Sequence, residues 1–427
     1  MRVLTLTWEF PPVITGGLGM ACYGIVKAML KQGISVDLII PAKIGVYFSL
    51  RNEQDVDNLP IVFTEPGKEQ SEQTLSVEKL KELVGSPVSV YQTMSKIRSM
   101  SPLFQEPQSE PFKYLMEMLS DESYLCRQVK DYTAMAVDIG RKLDYDIIHA
   151  HDWLTYPSGM LLKSITGKPL VVHIHATEFD RAGGAGDRKI HNIEYAGMKY
   201  ADRVIAVSDY TANLVRQRYH ISAEKTKVVH NAYELSHNPN NHRRIFKEPT
   251  VLFLGRITLQ KGPDYFLEVA RRVCLYNKKV RFVMAGSGDM EKQILHKAAS
   301  LGLGTKFLVA GFLERSEVEK ILSSTDIFLL PSVSEPFGIV PLEAMSHGAV
   351  AIISKNAGVA EIIESAYKID FWDIDQIVST ILDLIENPAK LKMMSIQGQA
   401  EAVKLKWEDA VEKIVDVFYE LELMAKC

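Results

Sequence analysis

Short apolar, β-branched runs recur along the chain, each followed by a stretch whose apolar residues return at helical spacing. In the first half the runs fall at 3–7, 35–40, 146–149, 170–174, 203–207 and 227–229; in the second they fall at 251–254, 280–285, 307–309, 326–330 and 350–353. Strands alternating with amphipathic helices are the pattern of βαβ units and parallel sheets. The first helix carries Leu18, Ala21, Ile25, Met29 and Leu30 on one face and stops at Gly33, a C-cap residue. Pro263 and Pro341 stand where first helical turns begin. A polar segment at 236–247, rich in Asn, His, Arg and Lys, separates the two series. The expected architecture is α/β, with two doubly wound parallel-sheet (Rossmann-like) domains facing a cleft: residues 1–235 and 246–405. Two regions break the rhythm. Residues 51–120 read as an insertion, helical around 77–83, and residues 406–427 form one helical pattern (Val411, Ile414, Val415, Val417, Phe418, Leu421) able to cross back to the first domain.

Composition narrows the function. The chain has 427 residues, 47% hydrophobic and 24% charged, which is ample for two cores and excludes a disordered or low-complexity chain. Its 49 basic and 53 acidic residues give 49 − 53 = −4, which argues against nucleic acid as the main partner. Cys22, Cys126, Cys274 and Cys427 form no C-x-x-C pair and have no histidine nearby in sequence, so reduced thiols are expected and structural zinc is not. The apolar run at the N-terminus is too short for a secretory signal, and no stretch reaches the roughly 20 apolar residues of a membrane helix. A cytoplasmic protein without an integral membrane segment is the expectation.

Candidate chemistry sits after strands. Residues 15–19, Thr-Gly-Gly-Leu-Gly, open a helix where backbone N–H groups can meet an anion. The dinucleotide fingerprint fails, because Cys22 occupies the place of its last glycine. Gly255-Arg256 follows the first strand of the second series, with Lys261 five residues on. A planar fork and a mobile point charge suit a diphosphate, although the pair alone also reads as a solvated loop. In Ser334-Glu335-Pro336-Phe337-Gly338-Ile339-Val340-Pro341-Leu342-Glu343, a loop carries Glu335 and a helix starting near Pro341 carries Glu343 in its first turn. Gly338 and the N–H groups of Ile339 and Val340 form an anion-accepting edge. Carboxylates beside such an edge are repelled by phosphate unless they hold hydroxyls, which suggests a sugar on each side. His151-Asp152 and His173-Ile174-His175 follow strands at the same edge of the first sheet, with His173 and His175 on one face. They read as sugar hydrogen-bonders or as buried histidines; a metal would want a carboxylate or cysteine set that the spacing does not place. Three D-x-D triplets follow no strand and read as chance.

Together these residues resemble the retaining glycosyltransferases of GT-B fold, family 4 type, with features of glycogen synthases. The match rests on Pro12-x-x-x-Gly16-Gly17-Leu18-Gly19, His149-Ala150-His151-Asp152-Trp153, 201–208 (Ala-Asp-Arg-Val-Ile-Ala-Val-Ser), Arg256 with Lys261, and the E-x7-E pair Glu335 and Glu343. The resemblance implies a nucleotide-diphosphate sugar (UDP-sugar favoured, ADP-sugar allowed) as co-substrate, no cofactor and no metal, and a saccharide or small hydroxyl acceptor. It implies that Arg256 and Lys261 neutralise the departing diphosphate, that Gly16 and Gly17 approach it, and that Glu335 holds donor-sugar hydroxyls. It also implies that Glu343 binds the ribose, that backbone at Leu313 faces the base, and that Phe337, Gly338, Ile339 and Val340 line the sugar and phosphate. His175 would contact the sugar, with His151 and Asp152 toward the acceptor. The competing readings are a sugar-nucleotide epimerase of the same architecture and a non-catalytic nucleotide-sugar sensor. Departures are Ile14 where ADP-glucose-using synthases carry a lysine, Ala232 after His230-Asn231, and Asn356-Ala357 where a glycine pair is usual.

Overall fold

The computed structural model describes residues 1–10, 13–14, 16–41, 46–57, 62–63, 99, 101–105, 109–234 and 244–426. The helix expected at 77–83 and most of the polar segment 236–247 lie outside these residues. The first sheet comprises β1 (Arg2–Leu6), β3 (Ser35–Ile40), β4 (Val46–Leu50), β6 (Ile147–His151), β7 (Leu170–Ile174), β8 (Arg203–Ala206) and β9 (Thr226–Val228). Its order is β4-β3-β1-β6-β7-β8-β9, while β2 (Val13–Ile14) and β5 (Val62–Phe63) pair separately. The second sheet comprises β10 (Thr250–Leu254), β11 (Arg281–Ala285), β12 (Phe307–Gly311), β13 (Ile327–Leu330), β14 (Val350–Ser354) and β15 (Tyr367–Ile369), in the order β12-β11-β10-β13-β14-β15.

All pairings in the two large sheets are parallel except β3 with β4, where Val36 faces Leu50 and Ile40 faces Val46. Sequence reading named no strand at 46–50 or 367–369 and missed β4 and β15, because a five-residue edge strand returning from β3 carries no helix to announce it and β15 is only three residues long. The expected strands otherwise match to within one or two residues at their ends, since parallel strands buried on both faces read as continuous apolar runs. Val3, Leu4, Leu6, Ile147 and Ile148 in the first sheet, and Val251, Leu252, Phe253 and Phe328 in the second, are fully buried. Asp37 is buried in β3 and takes Arg2 (2.7 Å), Tyr47 (2.7 Å) and Arg51 (3.0 Å), a structural role at the sheet edge.

The C-terminal helix Trp407–Lys426 packs on the helix Gly17–Lys31 of the first domain: Val411, Ile414, Phe418 and Leu421 share one apolar cluster with Ile25, Val26 and Met29. Lys31 Nζ pairs with Glu408 at 2.8 Å. The outgoing and returning connections touch, Tyr233 N–H donating to the Leu405 carbonyl at 3.5 Å. Trp407 lies against Gly24, where an added Cβ would stand 2.2 Å from its ring. In a helix interior Gly→Ala normally gains about 1 kcal/mol. At Gly24 overpacking should win, so Gly24→Ala is expected to destabilise by about 1–3 kcal/mol in urea unfolding; a gain would show that Trp407 is not seated there.

Candidate active site

Open α/β sheets present ligand crevices at the carboxyl ends of strands, where strand order reverses. The second sheet reverses between β10 and β13. Gly255-Arg256 leaves the end of β10, and Pro331 to Glu335 leaves the end of β13, so the crossover itself brings these two loops together. The first sheet reverses between β1 and β6, whose ends lead to Glu9…Gly17 and to His151-Asp152.

On the second-domain side, Lys261 closes a one-turn 3₁₀ segment Leu259–Lys261 and its Nζ meets Glu335 Oε2 at 2.5 Å. The two side chains are 17% and 7% exposed, so the pair is largely removed from water. Ser332 Oγ donates to the same carboxylate oxygen at 3.3 Å. The backbone of Glu335 is pinned as well: its N–H donates to the Asn356 carbonyl and its own carbonyl accepts from Gly358 N–H, both at 2.9 Å. Arg256 is exposed and donates to Gln260 Oε1 at 3.2 Å.

Gly338 stands in the left-handed region (φ 98°) and caps the helix Ile339–Ser346. This corrects the expected start near Pro341. Glu343 is the fifth residue of that helix, in its second turn, and Pro341 is tolerated because the first-turn N–H groups have no helical partner to lose. Glu343 is buried and paired with Arg315, the first residue of the helix Arg315–Leu322. Arg315 was not singled out from sequence; its position just after Phe312-Leu313, the loop expected at the base, was the available signal. Leu313 packs on the second core, and Phe337 is buried, its carbonyl accepting from Val359 N–H at 2.7 Å.

On the first-domain side, Gly16 caps the helix Gly17–Lys31 in extended conformation and Gly17 is exposed. His149 and His151 of β6 and His173 and His175 at the end of β7 form a buried column of rings. His149 Nε2 lies 3.3 Å from His173 Nδ1, and His151 Nδ1 lies 2.9 Å from His175 Nε2. Burial pushes His149 and His175 down to about 3, and His151 and His173 are also lowered by burial, so the rings are neutral. Cys22 Sγ lies within 4.8 Å of a ring nitrogen of His151 and of His175, although no histidine stands near it along the sequence. Residues 22 and 151 are far apart in sequence, and the β1–β6 adjacency brings them together. Asp152 adopts φ 58° and accepts from His175 N–H at 2.7 Å and Ala176 N–H at 3.4 Å. Burial raises its carboxyl to about 6.

The two sides meet around Glu335. Ser334 Oγ donates to Asp180 at 2.5 Å and bonds Tyr210 Oη at 2.9 Å. Ser208 Oγ donates to the Pro336 carbonyl at 2.6 Å. Glu361 accepts from the N–H groups of Asp209 (2.8 Å) and Tyr210 (2.7 Å) and meets His230 Nε2 at 2.7 Å. Glycine is required at 358, where a Cβ would stand 2.2 Å from the Pro336 carbonyl oxygen and 2.5 Å from Ser208 Cβ. Behind this contact Arg181 donates to Glu194 (2.5 Å), Glu178 (3.3 Å) and the Ala176 carbonyl (2.9 Å). Tyr219 Oη donates to the other Glu194 oxygen.

Residues 2–227 match the starch synthase catalytic domain family, and residues 237–401 match glycosyl transferases group 1. An uncharacterized glycosyltransferase of Methanocaldococcus jannaschii is 28% identical, with 100% of both chains covered. Glycogen synthase of Mycobacterium tuberculosis is 21% identical over 91% of this chain and 87% of that one. Sucrose-phosphate synthase from Thermosynechococcus elongatus has a similar structure, with TM-score 0.69 at 17% identity and 100% of both chains covered. An Anabaena protein solved with UDP and glucose gives 0.66 at 17% identity, covering 98% of this chain and 100% of that one.

Proposed function

We propose, since this chain belongs to the starch synthase catalytic domain family and is a glycosyltransferase of GT-B fold, that it moves a hexose, glucose in our reading, from a nucleotide-diphosphate sugar to a saccharide or other hydroxyl acceptor, with retention and without a metal at the diphosphate. The observation that carries this reading is the Lys261–Glu335 pair of 2.5 Å, held on the reversal point of the second sheet. Negative charge develops on the leaving diphosphate, and fixed cations placed there stabilise the transition state. Arg256 supplies a fork and Lys261 a point charge. Glu335, its backbone pinned on both sides, accepts from hydroxyls of the donor sugar. Glu343 accepts from the ribose hydroxyls, with Arg315 paired to that buried carboxylate and fixing its position. His175 presents Nδ1, which has no partner among the described residues, toward the sugar, and Asp152 acts by holding the His175 backbone rather than by touching substrate. The acceptor attacks on the face the diphosphate leaves, and the donor phosphate takes its proton. UDP-glucose is the favoured donor; the Anabaena neighbour was also solved with UDP-glucose, and a starch synthase of Arabidopsis thaliana with ADP and acarbose.

Heating the chain with a panel of nucleotide sugars tests this. A donor at 100 times its Kd should add about 2.7 kcal/mol of stability, with UDP-glucose giving the largest rise in Tm. A panel with no member raising Tm would reject the reading. Glu335→Gln should raise the KM for the donor sugar while leaving UDP binding close to wild type. Equal losses for sugar donor and free UDP would remove Glu335 from the sugar.

A further inference from the structure

The transfer reaction as derived uses one ring nitrogen of His175 and leaves Cys22 and the rest of the histidine column unexplained. Cys22 Sγ and one ring nitrogen each of His151 and His175 lie within 4.8 Å of one another. The three come from separate elements, the helix Gly17–Lys31, strand β6 and the residue after β7, so the meeting is made by the fold and not by local sequence.

The two imidazoles already turn one ring nitrogen each toward a common point. His151 Nδ1 and His175 Nε2 face each other at 2.9 Å and can share one proton. Their outer nitrogens, His151 Nε2 and His175 Nδ1, are buried and have no partner among the described residues. Charge points the same way. The Cys22 sulfur is within electrostatic reach of the Asp152 and Glu9 carboxylates, and Thr7 Oγ1 lies 3.1 Å from it. Two acids around a thiol favour a cation beside it.

We propose that Cys22, His151 and His175 bind one borderline-soft divalent cation of the zinc type. Zinc takes thiolate at about 2.3 Å and imidazole nitrogen at about 2.0–2.1 Å in tetrahedral sites. Two such nitrogens stand about 3.3 Å apart, so the inner pair needs to open by only a few tenths of an ångström. Binding releases the Cys22 thiol proton to solvent, and thiolate plus the Asp152 carboxylate balance the ion's two charges. Both inner nitrogens become lone-pair ligands, and both outer nitrogens carry protons. The ion thus fixes His175 as a donor at Nδ1 and orients its ring, in the manner of groups that lock metal-bound imidazoles. It takes no part in bond making.

The full-length chain, free of any histidine tag, is stripped with dipicolinate and equilibrated with Co(II) or Zn(II) alone, then desalted. About one equivalent of metal by mass spectrometry is expected, with a near-ultraviolet thiolate-to-cobalt band in the Co(II) form. X-ray absorption of the Zn(II) form should show one sulfur and two imidazole nitrogens, a result that needs no variant. Cys22→Ser should abolish the cobalt band, whereas His296→Asn, at an exposed position on a distant helix, should leave it intact. Retention of less than about a tenth of an equivalent, a nitrogen-only shell, or a band surviving in Cys22→Ser would each overturn the proposal. No donor or acceptor is present, so the result stands apart from the transfer reaction.

Discussion

Lys261→Ala is expected to lower kcat by about 10²–10³-fold at saturating donor, the loss seen when one preorganised stabiliser of developing negative charge is removed. The size follows from placement. Lys261 is mostly buried against a carboxylate that is more buried still, so its charge acts through a poorly screening medium, unlike a surface lysine. Arg256 is exposed and shares its field with solvent, and Arg256→Ala should therefore cost less. Removing Lys261 also strands Glu335, so Tm should fall. Turnover must therefore be measured well below the variant's Tm, with folding checked by circular dichroism. Lys261→Arg should restore stability more than turnover, because a planar fork cannot replace a compact ammonium at both the carboxylate and the phosphate. A kcat near wild type in Lys261→Ala would remove the cation clamp from the mechanism.

Arg181→Met should produce the largest loss of stability, about 3–5 kcal/mol at neutral pH, the range for breaking a buried ion pair by deleting one partner. Glu194 is 3% exposed and accepts from Arg181, from the Glu178 N–H at 3.1 Å and from Tyr219. Burial pushes its carboxyl upward, and Arg181 opposes that push. Without the guanidinium, Glu194 must hold a proton in the folded state. A carboxyl whose folded pKa is raised binds more protons folded than unfolded, so stability falls as pH rises above the unfolded value of about 4.3. The deficit of Arg181→Met should therefore be greatest near pH 8 and shrink toward pH 5. Urea unfolding at both pH values checks this. A deficit independent of pH would mean that packing, and not the carboxylate, carries the cost.

The alternation of apolar runs and helical stretches was enough to read both doubly wound sheets, because each strand signal is local. The loops bearing Arg256, Lys261 and Glu335 were legible for the same reason: each follows a strand at short range, and the reversal of strand order brings them together. What escaped were pairings between residues distant in sequence. Arg315 against Glu343, Arg181 against Glu194, and Cys22 against His151 and His175 depend on which strands neighbour which, and spacing along the chain carries no such information. The start of the helix bearing Glu343 was misplaced because Pro341 drew attention from Gly338, whose backbone conformation sets the cap. Residues 64–98, the largest stretch of the insertion, lie outside the described residues.

The side-by-side passage of Tyr233 and Leu405 has a mechanical consequence. A single tether would let the lobes tumble freely, whereas twin neighbouring tethers leave one easy movement, a swing about the line they share. Torsion across that line would shear the Tyr233–Leu405 bond and pull Trp407 off Gly24. Any opening of the crevice would thereby be steered along one arc, which would return Glu335 to the same neighbours on closing.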